Sequence, residues 1–584
     1  MAPSDSDPPT TFAIPRVSAG AITSLQESLR TEKAISEDMA SEISQLLDDI
    51  AHDVADYSTD ISRLERQILS LRMKHDVLKC AEKWARSILA PVRRLPNEIL
   101  HEIFTYCGSG GNIIYCTTLT SDVMRQPAWA VSSTCAKWRH IALSCKPLWS
   151  NICLDFPPST PVSTPRVPLC TPSHAISRCL HMSRQHPLTL EIRDWDITFI
   201  GTIGLLLTHA SRWKDVYLGR NVVVSNMPLF SGYHFPTLET MSISQDPLHL
   251  HYFQNAPSLR RVTLNGSLPN GSLPSRLLSF PWAQITHLDL KQFHGPVFTA
   301  LSACTNLEEL KILAEHSFEQ APPSAAPTPF IELPKLRKLC IVAQGNAFDA
   351  AYNILNLIFA ILTLPSLNSM ELSSGGTRFY GLWPQSLLVA FVQRSRCSII
   401  ALKLHAMSLS RSEVQGLFSA LPSIRELMIE DSRMMFRDTG RLTLTSELVT
   451  CLSAFTARDP FENERATLLP NLQQLVLRSR CRPSHSDSMY PQTVDKLDDT
   501  VLVNMIKSRW IPEPEYASLL KVQCLQSVSV TYLAAGRVMD SSAQRTLECL
   551  RHDGLKFRWM SEVDVEVDVE VDVEQADSDE EDMI

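Results

Sequence analysis

Apolar residues recur between Ala21 and Ala90 at spacings that alternate between four and three, and no proline or glycine interrupts this segment. The members of this seam are Ile43, Leu47, Ile50, Val54, Tyr57, Ile61, Leu64, Ile68, Leu71, His75 and Leu78. Such a heptad pattern leaves a narrow apolar stripe, which is typical of a coiled coil rather than of a helix inside a globular core. We therefore expect residues 21–90 to form a long helix. Its seam would pair with a second copy, with another protein, or with its own chain.

A second helical pattern begins after Pro91, which ends the long helix because proline lacks an N–H and clashes with the preceding turn. Its apolar members share one helical face: Leu95, Ile99, Leu100, Ile103 and Phe104. Pro96 suits the first turn of a helix, and Glu98 places negative charge near its positive end. Another stripe follows further along the chain: Val131, Cys135, Trp138, Ile141 and Ala142, then Leu148 and Trp149 beyond Pro147.

The residue types, order and local spacings of these two stripes resemble an F-box. The matching string is Leu95-Pro96-x-Glu98-Ile99-Leu100-x-x-Ile103-Phe104, then Val131-x-x-x-Cys135-x-x-Trp138-Arg139, then Leu148-Trp149. In particular, the chain is similar to fungal, basidiomycete-type F-box proteins that carry an N-terminal coiled coil and a C-terminal leucine-rich-repeat-like region. The gap from Phe104 to Val131 is longer than in compact F-boxes, and Gly108 to Pro127 account for the extra length.

The resemblance implies that residues 91–155 form an all-α module that binds a Skp-type adaptor and, through it, a cullin ubiquitin ligase. The side chains implied in the module and its adaptor contact are Leu95, Pro96, Ile99, Leu100, Ile103, Phe104, Val131, Cys135, Trp138, Leu148 and Trp149. The chain would then recruit an unknown protein substrate. The alternative is a non-catalytic interaction scaffold that is no longer coupled to ubiquitination.

A different pattern recurs from residue 156 to residue 560, namely L-x-x-L-x-L or a variant after a turn. Nine instances start at Leu238, Leu259, Ile285, Leu307, Leu336, Leu367, Ile399, Ile424 and Leu472, and their spacings are 21, 26, 22, 29, 31, 32, 25 and 48 residues. Repeats of this period predict a solenoid. The predicted fold class is thus an α/β repeat, a degenerate leucine-rich-repeat-like solenoid, preceded by an all-α F-box and a long coiled-coil helix.

The outward positions of these repeats carry both signs of charge, so they do not indicate the charge of a substrate. They include Arg260, Arg261, Glu308, Glu309, Arg337, Lys338, Arg425 and Glu426. The net charge of −9 arises in the C-terminal tail, since residues 562–584 hold twelve acidic and no basic side chains. The rest of the chain is near neutral, with 54 basic and 51 acidic groups, which argues against nucleic-acid binding. Composition predicts disorder for residues 1–20 and for the acidic tail 561–584, although alternating valine and acid in the tail would also suit an edge strand.

Recognisable catalytic and cofactor motifs are missing from the sequence, so we expect no enzyme activity, cofactor or metal. The fifteen cysteines include no C-x-x-C pair, and we interpret them as reduced thiols, many of them buried. His249 and His251 flank Leu250 on an expected strand, but they alone do not make a metal site. The sequence predicts no signal peptide and no apolar run long enough to span a membrane. We therefore expect a cytoplasmic or nuclear location.

Overall fold

The structure is a computed structural model of the 584-residue chain. It describes residues 12–30, 35–115, 126–155, 172–193, 200–219, 230–244, 247–265, 275–291, 298–315, 330–344, 350–374, 383–407, 409–431, 444–454, 467–479, 497–532 and 539–561. The remaining residues, which include most of the predicted acidic tail, lie outside the described part.

Helices and strands alternate along most of the chain. The α-helices are α1 Ala19–Ser28, α2 Glu37–Leu89, α3 Asn97–Cys107, α4 Pro127–Thr134, α5 Ala136–Ser144, α6 Lys146–Ser150, α7 Pro172–Ser183, α8 Ile200–Leu207, α9 Ser275–Leu278, α10 Phe298–Ala303, α11 Ala350–Ile361, α12 Gln385–Ser395, α13 Arg411–Ala420, α14 Ser446–Cys451, α15 Asp499–Arg509, α16 Pro514–Leu519 and α17 Ser541–His552. Short 3-10 helices span Pro91–Arg94, Ala210–Arg212, Pro247–Phe253 and Trp282–Gln284. The strands are β1 Asn112–Tyr115, β2 Asn151–Asp155, β3 Leu188–Ile192, β4 Trp213–Leu218, β5 Thr240–Ile243, β6 Arg261–Asn265, β7 His287–Lys291, β8 Glu309–Glu315, β9 Ile331–Glu332, β10 Lys338–Gln344, β11 Leu362–Thr363, β12 Ser369–Ser373, β13 Ala401–His405, β14 Glu426–Glu430, β15 Gln474–Ser479, β16 Ser527–Tyr532 and β17 Lys556–Ser561.

The chain divides into two compact units, Met1–Leu100 and His101–Ile584. The single helix expected over residues 21–90 was wrong at its N-terminal end, because α1 ends at Ser28. The first unit is dominated by α2, which begins at Glu37 and runs for 53 residues. Ser36 caps its start by accepting a hydrogen bond from Met39 N, and acidic residues occupy its first turn. The helix ends at Leu89, just before Pro91, as the proline predicts.

The N-terminal segment lies along α2, which differs from the disorder expected for residues 1–20. Asp53 accepts hydrogen bonds from Arg16 N at 2.9 Å and from Val17 N at 2.9 Å. The Arg16 guanidinium lies 3.2 Å from Asp53 and 2.8 Å from Asp56. These bonds hold the backbone of Arg16 and Val17 against α2. Residues 1–11 lie outside the described part.

The second unit contains a fifteen-stranded sheet whose neighbouring strands are all parallel and nearly all consecutive in sequence. The order runs from β1 to β17, and β9 and β11 form a separate two-stranded sheet. A helical segment connects many successive strands, so the unit is an α/β solenoid-like stack. Each of the nine predicted repeats coincides with a strand of the large sheet, and the coarse fold prediction is confirmed.

A ladder of shared backbone acceptors links these nine repeats. The Arg260 and Arg261 amides both donate to Glu239 O, and the next repeat donates in the same way to Arg260 O. The ladder continues through Thr286, Glu308, Arg337, Asn368, Ile400, Arg425 and Gln473. Because backbone atoms make this contact, the side chain at each position is free to vary. This explains why the repeats conserve little of their sequence besides the apolar inward positions.

The large sheet begins before residue 156, where the sequence placed the start of the solenoid. Strand β1 falls within the insertion from Gly108 to Pro127, and it pairs with β2 in register Asn112↔Ile152. Strand β2 in turn pairs with β3. The expectation that residues 91–155 are all-α was therefore wrong, because β1 and β2 lie within them and form the first two strands of the large sheet.

Candidate functional site

The helical segment from α4 to α6 has its own apolar centre. Trp149 is fully buried, its indole N–H donates to Ala142 O at 2.8 Å, and its ring meets the edge of Trp129 with 5.3 Å between centroids. Leu148 is fully buried as well. These two predicted site residues hold the module together, and their side chains are not available to a partner in this conformation.

Asn112 ties these helices to the sheet. Its buried side chain donates to Leu148 O at 2.7 Å and accepts from Ala128 N at 3.1 Å. Buried amides are costly unless both ends are bonded, so this pairing fixes β1 against α4 and α6. Sequence reasoning missed Asn112, because one polar residue in an apparent loop gives no signal of burial.

Phe104 and Trp138, two further predicted site residues, pack edge to face with 5.2 Å between ring centroids. Phe104 is buried, whereas Trp138, Val131 and Cys135 are half-buried. Cys135 also caps α5, since its Sγ accepts from Trp138 N at 3.5 Å. These three half-buried side chains line the accessible edge of the helical segment.

Helix α3 presents two different faces. Leu100 and Phe104 are each 1% exposed, while Ile99 and Ile103 are 44% and 41% exposed. Together with Pro96 and Tyr106, which are also exposed, they follow helical spacing along one side. We call Pro96, Ile99, Ile103 and Tyr106 the docking stripe. Tyr106 is 72% exposed, and it lies outside the F-box-like motif. Leu95, just before the helix, is half-buried.

The outward face of the large sheet is a second candidate surface. Its side chains form rows across the strands, for example Asp289↔Lys311↔Cys340↔Glu371↔Lys403. Opposite charges on neighbouring strands pair, as Lys338 does with Glu309 at 2.7 Å and Lys403 with Glu371 at 3.7 Å. The mixed charge expected from the sequence therefore becomes a pattern of cross-strand ion pairs.

A polar cluster on this face joins side chains of β12 to β15. His405 sits between two carboxylates, with 3.5 Å from Nε2 to Glu371 and 3.5 Å from Nδ1 to Glu430. Arg478 lies 3.7 Å from Glu430, whose carboxylate is mostly buried. Together these side chains make a charged, hydrogen-bonding patch on an otherwise regular sheet.

Asp289, on the same face, is a carboxyl with an altered environment. Burial raises the pKa of Asp289, and the ammonium groups of Lys311 and Lys291 offset part of this rise. A carboxyl of this kind is costly to keep charged without a partner. Asp289 is thus a second polar position on this face of the sheet, on β7 at the end of the row that runs to Lys403.

The remaining candidate chemistry does not form a site in the described part of the chain. No three His, Cys, Asp or Glu side chains converge there in a way that would hold a metal ion. His251 lies in the 3-10 helix Pro247–Phe253, with its ring 4.0 Å from Tyr252, so the expectation of a strand there was wrong. Burial raises the pKa of Cys153 and Cys340 to about 12, which keeps both thiols protonated.

Among the described helices, none combines the length and the apolar character needed to cross a lipid bilayer. Comparison with protein-family models and with curated proteins found no match to this chain.

Proposed function

We propose that this chain is an F-box-type substrate-recruiting subunit of a Skp–cullin–F-box ubiquitin ligase. In this proposal residues 91–155 bind a Skp-type adaptor, and the solenoid, of leucine-rich-repeat type, holds a protein target. Ubiquitin transfer is carried out by other subunits, which act on the target because it is held near them. The protein works in the cytoplasm, the nucleus or both.

The observation that carries the proposal is the docking stripe of α3. These side chains lie exposed along one side of α3 and its first turn, next to the face on which Leu100 and Phe104 are buried. Burying one large apolar side chain contributes roughly 1.5–3 kcal/mol, so a stripe of this size supports a protein partner. The half-buried Val131, Cys135 and Trp138 supply additional apolar surface in the same F-box-like segment.

The outward sheet face supports the second half of the proposal. Solenoids use such faces to bind protein targets. The cluster of Glu371, His405, Glu430 and Arg478 offers both donors and acceptors of hydrogen bonds. We assign this cluster to target recognition, since polar groups that are partly buried discriminate between partners more strongly than exposed ones.

Co-purification of the full chain with a fungal Skp-type adaptor tests the proposal. The full chain is needed because β1, within the F-box-like segment, pairs into the solenoid sheet. We expect the wild-type chain to retain the adaptor and the double variant Ile99→Glu, Ile103→Glu to lose it. Two buried carboxylates would strongly oppose burial of the stripe.

The matched control is Tyr516→Glu, Leu519→Glu. These side chains are more exposed than Ile99 and Ile103 and also lie on one helix, but far from α3 in sequence. The control should retain the adaptor. A wild-type chain that never retains an adaptor would contradict the F-box proposal and favour the uncoupled scaffold. Equal retention by both double variants would instead show that the docking stripe is not the contact.

A further inference from the structure

The heptad seam of α2 is open to solvent. Its side chains at alternate seam positions are strongly exposed, from 48% at Ile68 to 59% at Leu47 and Val54. Leu71 and Leu78 are exposed to a similar extent. An apolar stripe about 50 Å long, at 1.5 Å per residue, needs a partner in water.

The chain's own N-terminal segment lies along the side of α2 next to the seam. Its hydrogen bonds go to Asp53 and Asp60, and its arginine reaches Asp56. Three seam residues, Ile43, Ile50 and Leu64, are half-buried as well. In the described part of the chain, the line of seam residues from Leu47 through Val54 and Ile61 to Ile68 stays exposed.

The charges along α2 are divided between its two halves. From Glu37 to Ile61 the helix carries eight acidic and no basic side chains, and from Ser62 to Leu89 it carries seven basic and three acidic ones. A parallel pair of such helices would place like charges together along its whole length. An antiparallel pair would place the acidic half of each helix beside the basic half of the other.

We infer that α2 pairs antiparallel with α2 of a second copy of the chain, centred near Ile61 and Leu64. This register overlaps nearly the whole seam, and the arrangement is self-complementary, as a two-fold interface requires. The strict two-position seam matches a two-stranded coiled coil rather than a wider bundle. The inference does not rest on adaptor binding.

Sedimentation velocity of the full chain tests the inference. We expect the wild-type chain to sediment as a dimer, with twice the 65.5 kDa mass of one chain. The variant Ile61→Lys, Ile68→Lys should sediment as a monomer, because it places four ammonium groups in the seam of each dimer. The matched control Leu69→Lys, Met73→Lys changes somewhat more exposed side chains outside the seam and should remain dimeric.

Salt dependence tests the orientation. An antiparallel pair is held partly by opposite charges. Its dissociation constant should therefore rise when the salt concentration is raised from about 0.05 M to about 1 M, because the salt screens these charges. Lys74→Glu combined with Lys79→Glu should weaken the dimer for the same reason. In a parallel pair both changes would strengthen association, because the like charges would be screened or removed.

A wild-type chain that stays at 65.5 kDa, or a seam variant that remains dimeric, would overturn the inference. Tighter association with salt would overturn the antiparallel orientation. Far-ultraviolet circular dichroism of each variant ensures that loss of the dimer is not loss of the helix.

Discussion

The long helix and the solenoid use similar apolar residues in opposite ways. Leu47, Ile61 and Leu71 at heptad positions of α2 stay largely exposed, whereas the leucine and isoleucine residues at the inward positions of the strands are almost completely buried. The difference is in the neighbours. Each strand is covered by the next repeat of its own chain, but a single helix has no second apolar face beside it. One pattern therefore completes a fold, and the other is left for association.

The tryptophans provide the largest test of this contrast. Trp149→Ala should lower the free energy of unfolding by about 3–5 kcal/mol, because a fully buried ring is replaced by a cavity. Trp84 is 68% exposed on α2, and Trp84→Ala should change the free energy of unfolding by less than about 0.5 kcal/mol. Urea unfolding followed by circular dichroism measures both. Equal losses for the two variants would refute the assignment of Trp149 to a core and Trp84 to a solvated helix.

Gly108 and Gly110 test how tightly the turn before β1 packs against the helical segment. A Cβ on Gly108 would lie 2.9 Å from the Cα of Leu148, a backbone atom that cannot turn aside. Gly108→Ala should therefore destabilise the chain by about 1–3 kcal/mol. Gly110 has no atom within 4 Å of the same position, so Gly110→Ala should be close to neutral in the same unfolding measurement. If Gly108→Ala is neutral too, the packing of β1 and its flanking turn is looser than described.

The smallest change in stability is expected when the contact between α2 and the N-terminal segment is lost. Hydrogen bonds from Val17 N and Arg16 N, with the nearby Arg16 guanidinium, lower the pKa of Asp53 below its usual 3.8. The contact should be complete above pH 3.8 and be lost as the pH falls through the lowered pKa, when the carboxyl gains a proton.

Hydrogen exchange at the Arg16 and Val17 amides measures this contact. Asp53→Asn should speed exchange there at neutral pH, because an amide oxygen holds these donors less strongly than a carboxylate. Asp38→Asn, in the first turn of α2, is the control and should leave the exchange of both amides unchanged. Protection that persists in Asp53→Asn would show that the segment is held by other contacts.

Much of the repeat architecture could be predicted from the chain, but not its extent. Nine strands can be recognised in the sequence by the pattern L-x-x-L-x-L, because a leucine or similar residue fills each inward position. The nine instances do not include β4, which reads Trp213-Lys-Asp-Val216-Tyr-Leu218 and so begins with tryptophan. Nor do they include β16, where the segment Leu525-Gln-Ser-Val528-Ser-Val530 places valine at both later apolar positions. Strand β1 carries no such repeat at all. Only its pairing with β2 reveals it.

For the candidate site, the sequence identified the apolar residues of the helical segment but not which way they face. Leu100 and Ile99 are adjacent and equally apolar, yet one is buried and the other is exposed. Periodicity by itself determined that α2 is long and carries a narrow seam, and that a repeated strand unit follows it. The tertiary structure decided which side of each element is covered, because burial depends on residues far apart in sequence, such as Asn112 against Leu148 and His405 against Glu371 and Glu430.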